Sequence, residues 1–285
     1  MLVETPTQYQ IFQLFSCICY FRKFFQFLNQ LNLFEFIQGI LKQVLIFSEH
    51  GREVSTFNFM KRSDHFISGS TDSSMIIWPS NQNGLRICQQ KLNERTSNIV
   101  CLLLNNNEDI IISGSNDYKI KFWQKQNEWF CYQTITDHTS TVLGLSFNEQ
   151  SNKFIFCGYG SSILVFEQSE LNKQWIVIQK ITVKDFGFRL CFIDNKTFTF
   201  YPYGKDYIEV FEMNNSNKQY TKTKDIPNGS NISFIRKKQD GKFMIEESIE
   251  FGTRSIFGYM TDDGQYLITW DENSKEIQIR KYQEK

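Results

Sequence analysis

The sequence predicts an all-β fold built from repeated four-stranded units. Two stretches carry this prediction because they are near-copies of each other, Phe66 to Trp78 and Ile110 to Trp123. Each reads as a β-branched strand, a turn with Gly, Ser and Asp, and a second β-branched strand that ends at Trp, the pattern of a β-hairpin. The two tryptophans are 45 residues apart. A repeat of that length is typical of solenoids and propellers and not of a domain with one dedicated catalytic site.

Two weaker copies of the hairpin follow at nearly the same spacing. One ends at Phe166, 43 residues after Trp123, and the next ends at Phe211, 45 residues further on. An apolar strand precedes each hairpin and another follows it, so each unit has four strands. Four-stranded units that repeat about every 44 residues are typical of β-propeller blades. We therefore predict a propeller over residues 43–285.

The rest of the propeller is predicted from the last third of the chain. Residues 231–237 and 242–251 indicate an outer hairpin, and three further strands follow. The total corresponds to about six blades, of which the fifth is incomplete near Pro227. We expect residues 44–47 to supply the fourth strand of the last blade, because closing the ring removes free sheet edges.

Residues 1–42 differ from the rest of the chain and predict a helical extension. Eight phenylalanines crowd this segment: Phe12, Phe15, Phe21, Phe24, Phe25, Phe27, Phe34 and Phe36. The apolar run from Ile11 ends at Arg22 after about half of the ~20 residues that span a membrane. Only Glu4 precedes it, whereas a secretory signal begins with positive charge. We expect the extension to dock on the propeller, where it would cover the incomplete blade, or on a partner. A membrane-surface element is the alternative.

Composition excludes several classes of function. Lys and Arg together number 31, as do Asp and Glu, so no net charge attracts the protein to nucleic acid. The seven cysteines are scattered and lack the CxxC spacing of zinc sites. We interpret them as reduced thiols of a cytoplasmic protein, and we predict neither a metal nor a cofactor.

The units resemble blades of the WD40 family, which read Gly-His, an apolar strand, Ser-Gly-Ser-x-Asp, and a strand that closes on Trp. This resemblance implies a hydrogen-bonded tetrad of His, Ser or Thr, Asp and Trp that stiffens each blade. Blade two departs from the pattern with Arg95 in the place of the His, and blade three lacks both the Asp and the Trp. The residues implicated are His50, Ser68 (or Ser70), Asp72 and Trp78 in blade one, Ser113, Asp117 and Trp123 in blade two, and His138 in blade three.

Candidate catalytic groups are few. The chain has three histidines, and the resemblance gives two of them, His50 and His138, a structural role. General-base catalysis needs a paired nucleophile or carboxylate that the sequence does not offer, so we predict no enzyme activity. Trp129 and Trp175 open predicted outer strands and are possible partner contacts. Packing between neighbouring blades is the alternative role for both residues.

The resemblance implies a non-enzymatic scaffold, because WD40 proteins bind other proteins on the faces and rim of the ring. We expect a monomer within a multiprotein complex and no partnership with nucleic acid. A more specific alternative is the WD40 subunit that targets cytosolic iron–sulfur cluster assembly, which the stretch from Trp129 to Ile135, followed by His138, resembles. A membrane-associated protein anchored by the Phe-rich N-terminus is the third reading.

Overall fold

The computed structural model describes residues 31–281 except 38–39, 48, 61, 63–64, 80–87, 94, 137–139, 229–230, 238–242, 254–255 and 261–265. All regular structure in these residues is β-strand, and the sheets are antiparallel. The predicted all-β fold class is confirmed. In this part of the chain, no helix has the length and apolar character needed to cross a bilayer.

The first two strands form a hairpin of their own, in which β1 (Leu31–Ile37) pairs with β2 (Ile40–Phe47). The helical prediction is therefore wrong for these residues. Apolar and polar residues alternate along β1, but the register shifts between Leu33 and Phe34. This bulge interrupts the two-residue period, and the helical spacing of apolar residues between positions 11 and 28 was extended through β1. Residues 1–30 lie outside the described residues, so the helix predicted there remains a prediction.

Four four-stranded sheets follow, which we name blades one to four. Each is a meander in which consecutive strands pair. Blade one contains β3 (Val54–Phe59), β4 (Phe66–Ser70), β5 (Met75–Trp78) and β6 (Gln90–Leu92), and blade two contains β7 (Ile99–Leu104), β8 (Ile110–Ser115), β9 (Ile120–Lys125) and β10 (Trp129–Ile135). Blade three contains β11 (Val142–Phe147), β12 (Lys153–Gly158), β13 (Ser162–Gln168) and β14 (Trp175–Thr182), and blade four contains β15 (Gly187–Asp194), β16 (Thr197–Pro202), β17 (Tyr207–Met213) and β18 (Tyr220–Pro227).

Two smaller sheets complete the described chain. β19 (Asn231–Lys237) and β20 (Phe243–Glu250) form the predicted hairpin as a two-stranded sheet. β21 (Ile256–Met260), β22 (Tyr266–Asp271) and β23 (Ile277–Lys281) form a three-stranded sheet. Within the described residues, β2 pairs with β1 and not with this last sheet. The expected closure of the last blade by residues 44–47 is therefore contradicted, because the β-forming residues of β1 take them as a partner.

The hydrophobic core lies between the blades. One cluster joins blades one and two, a second joins blades two and three, and a third joins blades three and four. The first strands β3, β7, β11 and β15 contact one another in that order. Both faces of each inner sheet are therefore apolar, and a blade buries its surface only by packing against its neighbours.

Glycine lets the second strand of a blade approach the first strand of the next blade. A Cβ at Gly69 would lie 2.6 Å from Ile99 Cγ2, and a Cβ at Gly114 would lie 2.3 Å from Val142 Cγ1. Each of these contacts joins the Ser-Gly-Ser stretch of one blade to the first strand of the next. The glycine of the repeat therefore has a packing role as well as a place in a turn signature.

The variant Gly114→Ala should destabilise the protein by roughly 1–3 kcal/mol, because the added methyl overpacks the contact between blades two and three. Gly51→Ala is the matched control, since its Cβ would meet its nearest atoms at 3.8 Å or more, and we expect a change within about 0.5 kcal/mol. Urea denaturation followed by tryptophan fluorescence measures both. Equal stability of the two variants would contradict the packing role of Gly114.

Candidate functional site

The structure brings the four predicted tetrad residues of blade one together as a polar latch. Trp78 Nε1 donates to Ser68 Oγ at 2.8 Å, and Ser68 Oγ lies 2.7 Å from His50 Nε2. On the other side of the ring, His50 Nδ1 lies 3.1 Å from Asp72 Oδ2. Because a carboxylate only accepts, we assign the proton to Nδ1 and let Ser68 donate to Nε2. This series of hydrogen bonds links four parts of blade one: the segment before β3, strand β4, the β4–β5 turn and the end of β5.

The turn around Asp72 adds a residue that the sequence did not single out. The backbone N–H and the hydroxyl of Ser74 both donate to Asp72 Oδ1, at 2.9 and 2.6 Å, and the N–H of Gly51 donates to Oδ2 at 2.8 Å. Burial raises the pKa of Asp72, but the hydrogen bonds from His50, Ser74 and Gly51 outweigh it and hold the pKa well below its ordinary value.

In blade two, Arg95 occupies the place of the missing histidine. Its Nη1 donates to Asp117 Oδ1 at 3.1 Å, and its Nη2 donates to Ser113 Oγ at 2.5 Å. Trp123 Nε1 donates to the same Ser113 oxygen at 2.8 Å. The sequence identified Arg95 as a departure from the pattern. The structure shows that it makes the same two connections as the imidazole of blade one.

The latch of blade two therefore contains a buried ion pair. The side chain of Arg95 is fully buried and that of Asp117 is 5% exposed. Burial lowers the pKa of Arg95, and the charge of Asp117 opposes this shift. A second contact fixes the guanidinium, since Nη1 also donates to the carbonyl of Lys119 at 3.0 Å. A pair held in this way is costly to break, because removing one partner leaves a buried charge.

In blades three and four, a phenylalanine closes the hairpin and stacks on its cross-strand partner. Phe154 and Phe166 stack with centroids 4.4 Å apart, and Phe198 and Phe211 stack at 4.8 Å. Phe66 and Trp78 occupy the same paired positions in blade one. His138, the tetrad residue predicted for blade three, lies outside the described residues. The position that closes each hairpin thus stays aromatic where its hydrogen-bonding partners are lost.

Trp129 and Trp175 are not exposed partner contacts. Their side chains are buried, at 5% and 1% exposure, which contradicts that prediction. Each belongs to a cluster between blades, because the first residue of the outer strand points toward the preceding blade. The indole of Trp175 also donates to Tyr132 Oη, on the preceding blade, at 2.9 Å.

The sequence reasoning missed three glutamines that bind the backbone of these same aromatic residues. We name them the Gln clamps: Gln90 bonds to Trp129, Gln133 to Trp175 and Gln179 to Tyr220. A signal was present, since Gln133 and Gln179 each lie four residues after an aromatic residue that opens an outer strand. Because glutamine has no distinctive strand preference, this spacing alone does not predict a contact between blades.

Four aromatic rings gather where turns of blades three and four meet, and we name them the aromatic patch: Tyr159, Phe186, Phe188 and Tyr203. Phe186 stacks on Tyr203 at 4.9 Å and contacts Tyr159 at 5.2 Å. Phe188 meets the other three rings edge-on at 5.6 to 6.0 Å. Both tyrosines are more than half exposed. Phe186 and Phe188 share one side of the chain because alternate residues of an extended segment point the same way.

These arrangements support strand-to-strand contacts rather than chemistry. Among the described residues, no three His, Cys, Asp or Glu side chains are grouped so that they could hold a metal ion. The imidazole of His50 is bonded on both nitrogens within the latch. Both nitrogens of this ring therefore serve contacts within blade one.

Two segments, residues 41–79 and 86–124, match the family model described as "WD domain, G-beta repeat". They are the segments that contain the two polar latches. Residues 41–79 and 86–124 are therefore WD40 repeats. The match ends at residue 124, which agrees with the loss of the polar WD40 latch in blades three and four.

A comparison with curated protein sequences finds no match. Among solved structures, the chain is similar to a proposed 6-phosphogluconolactonase from Bacteroides uniformis ATCC 8492, with a TM-score of 0.62, 14% identity, and coverage of 90% of this chain and 76% of that one. A second, from Bacteroides fragilis NCTC 9343, gives 0.61 and 14%, with coverage of 89% and 73%. A chain of the mitotic checkpoint complex gives 0.58 and 14%, with coverage of 85% and 66%. At 14% identity, the likeness to these structures shows the fold of this chain and nothing of its function.

The variant Arg95→Met should lower the free energy of unfolding by about 3–5 kcal/mol, because it leaves the carboxylate of Asp117 buried without its partner. Arg52→Met is the control, since Arg52 is exposed, and should change stability by less than about 0.5 kcal/mol. Urea denaturation of Arg95→Met, of Asp117→Asn and of the double variant, beside the control, measures the coupling between the two side chains. Strictly additive costs in the double variant would argue against a latch.

The variant Asp72→Asn tests the latch of blade one through the pH dependence of the free energy of unfolding. The folded pKa of Asp72 lies below its unfolded value of about 3.9. Its carboxylate therefore stabilises the fold above that pH, and the contribution is lost as the pH falls through the folded pKa. The stability difference between the wild type and Asp72→Asn should be largest above about pH 5 and shrink below about pH 4. A difference that stays constant from neutral to acidic pH would contradict the latch.

Proposed function

We propose that this protein with WD40 repeats is a non-enzymatic scaffold that binds other proteins. The binding surface is the turn face, which we define as the side of the blades that carries the β12–β13 and β16–β17 turns. One contrast supports the proposal. The imidazole of His50 and the ion pair of Arg95 and Asp117 are bonded inside latches, whereas both tyrosines of the aromatic patch are more than half exposed. Function in such a frame resides in the loops, which vary while the strands hold their positions.

The aromatic patch is the proposed contact surface. Aromatic side chains bury a large area and lose little conformational entropy, which is why they dominate binding energy at interfaces. Phe186 is already held by ring contacts with Tyr159 and Tyr203. Its carbonyl also accepts a hydrogen bond from Tyr203 N–H at 2.7 Å. A preformed surface avoids part of the ordering cost of binding.

The charges beside the patch indicate the chemistry of the partner. Asp185 and Lys205 border the aromatic residues and pair with each other at 3.1 Å, so together they add no net charge beside the patch. We therefore propose a partner protein whose contact surface is apolar and uncharged. The likeness to two proposed lactonases extends to the fold and supplies no catalytic group. No observation on the described residues favours the iron–sulfur or membrane alternatives, and the cytoplasmic location remains a prediction.

A photo-crosslinking experiment tests the proposal on the full chain. p-Benzoylphenylalanine replaces Tyr203 in the patch or, as the control, Tyr118, which is 50% exposed on the β8–β9 turn outside the patch. We expect a protein adduct from position 203 and none from position 118, since only the former lies in the contact surface. Tyr159→Ala should abolish the adduct while the circular dichroism spectrum is unchanged. Adducts of equal yield from both positions, or from neither, would refute the assigned surface.

A further inference from the structure

We infer that the three Gln clamps couple blades one to four into one cooperative unit, and that this unit ends at Lys224. The inference concerns how the frame holds together and goes beyond the proposed binding function. It rests on a contact that repeats at each of the three boundaries between these blades, with the same atoms and the same distances.

Each clamp makes two hydrogen bonds to a single residue of the next blade. The Nε2 atoms of Gln90, Gln133 and Gln179 donate to the carbonyl oxygens of their partners, and their Oε1 atoms accept from the backbone N–H of those partners. All six distances are 2.8 Å. A carboxamide carries the same donor and acceptor as a peptide group, so each clamp acts like one residue of an added strand.

The clamped groups lie on sheet edges. β10, β14 and β18 are each the last strand of their sheet, and an edge strand presents backbone groups without a partner in its own sheet. The glutamine of the preceding blade satisfies these groups at the aromatic residue that opens the strand. The ring of the same residue is buried in the cluster between the two blades. One residue therefore carries both an apolar and a polar link across each boundary.

The series ends in blade four. Register places each clamp opposite one residue of the preceding strand: Ile77 faces Gln90, Phe122 faces Gln133 and Val165 faces Gln179. In blade four, the corresponding residue Val210 faces Lys224. An ammonium group donates but cannot accept, so Lys224 cannot bind a backbone N–H and C=O together. The two-bond contact that a glutamine makes is therefore not available to Lys224.

Coupling of this kind determines how a repeat protein unfolds. The stability of stacked repeats is the sum of the stability of each repeat and the interaction with its neighbours. Strong interactions make the array open as one unit, and weak ones let parts open separately. The Gln179 clamp spans the boundary between blades three and four, which the aromatic patch also crosses.

Native-state hydrogen exchange of the full chain, read by mass spectrometry, tests the inference. In the wild type, peptides of β3 to β18 should share one slow exchange rate, whereas peptides of β19 to β23 should exchange at least tenfold faster. Gln133→Met keeps the volume and removes both hydrogen bonds. It should speed exchange around Trp175 at least tenfold and split urea unfolding into two transitions. Gln124→Met, at an exposed glutamine of the same blade, should leave both readouts unchanged.

Two results would overturn the inference. The first is exchange around Trp175 that is as slow in Gln133→Met as in Gln124→Met, with a single unfolding transition in both. The second is equal protection from β3 through β23 in the wild type, which would remove the boundary at Lys224. If Gln133→Met does not yield folded protein, Gln179→Met gives the same comparison at the next boundary, read at Tyr220.

Discussion

No blade of this protein can bury its apolar surface alone. Both faces of the inner sheets are apolar, so each sheet needs a neighbour on either side, and the core consists of the layers between sheets. This constraint explains why glycine stands where the Ser-Gly-Ser stretch meets the next blade. It also explains why the residue that closes each hairpin is large and aromatic, and why an aromatic residue opens each of the outer strands β10, β14 and β18.

The polar latches solve a problem that this packing creates. Ser68 and Ser113 are fully buried, and a buried hydroxyl without partners is costly. An indole N–H and either an imidazole or a guanidinium satisfy each of them. Blades three and four avoid the problem instead, because Phe156 and Phe200 stand at the position of the latch serine and carry no hydroxyl. The two solutions fill the same position, so the fold tolerates the loss of the family signature.

The repeated units could be predicted from the sequence because period and turn chemistry are local signals. The four hairpins and the later hairpin of β19 and β20 follow from them. The residues of the first latch were found through resemblance, since three of them stand at fixed places in the repeat. Contacts between blades were not predicted. The Gln clamps join residues 39 to 42 positions apart, and no local pattern distinguishes such a glutamine from a solvated one.

Two errors have the same physical origin. The helix predicted for residues 1–42 rests on apolar residues between positions 11 and 28 and was extended through β1, whereas the pairing that identifies β1 as a strand is a contact with β2. Trp129 and Trp175 were read as possible surface anchors because the sequence shows an aromatic residue at the start of an outer strand but not the direction in which it points. In both cases the deciding information is a neighbouring strand, which a single sequence does not contain.

The central claim is that the polar groups of the blades build the frame and that the turn face does the binding. A mutational scan that records both the cellular abundance of each variant and the crosslinking yield from position 203 tests it most directly. Substitutions in the latches, such as those at Arg95 and Asp117, should lower abundance and yield in the same proportion. Substitution of Tyr159 should lower yield alone. Latch variants that keep full abundance but lose the crosslink would contradict the account, because they would place the latch residues in the binding surface.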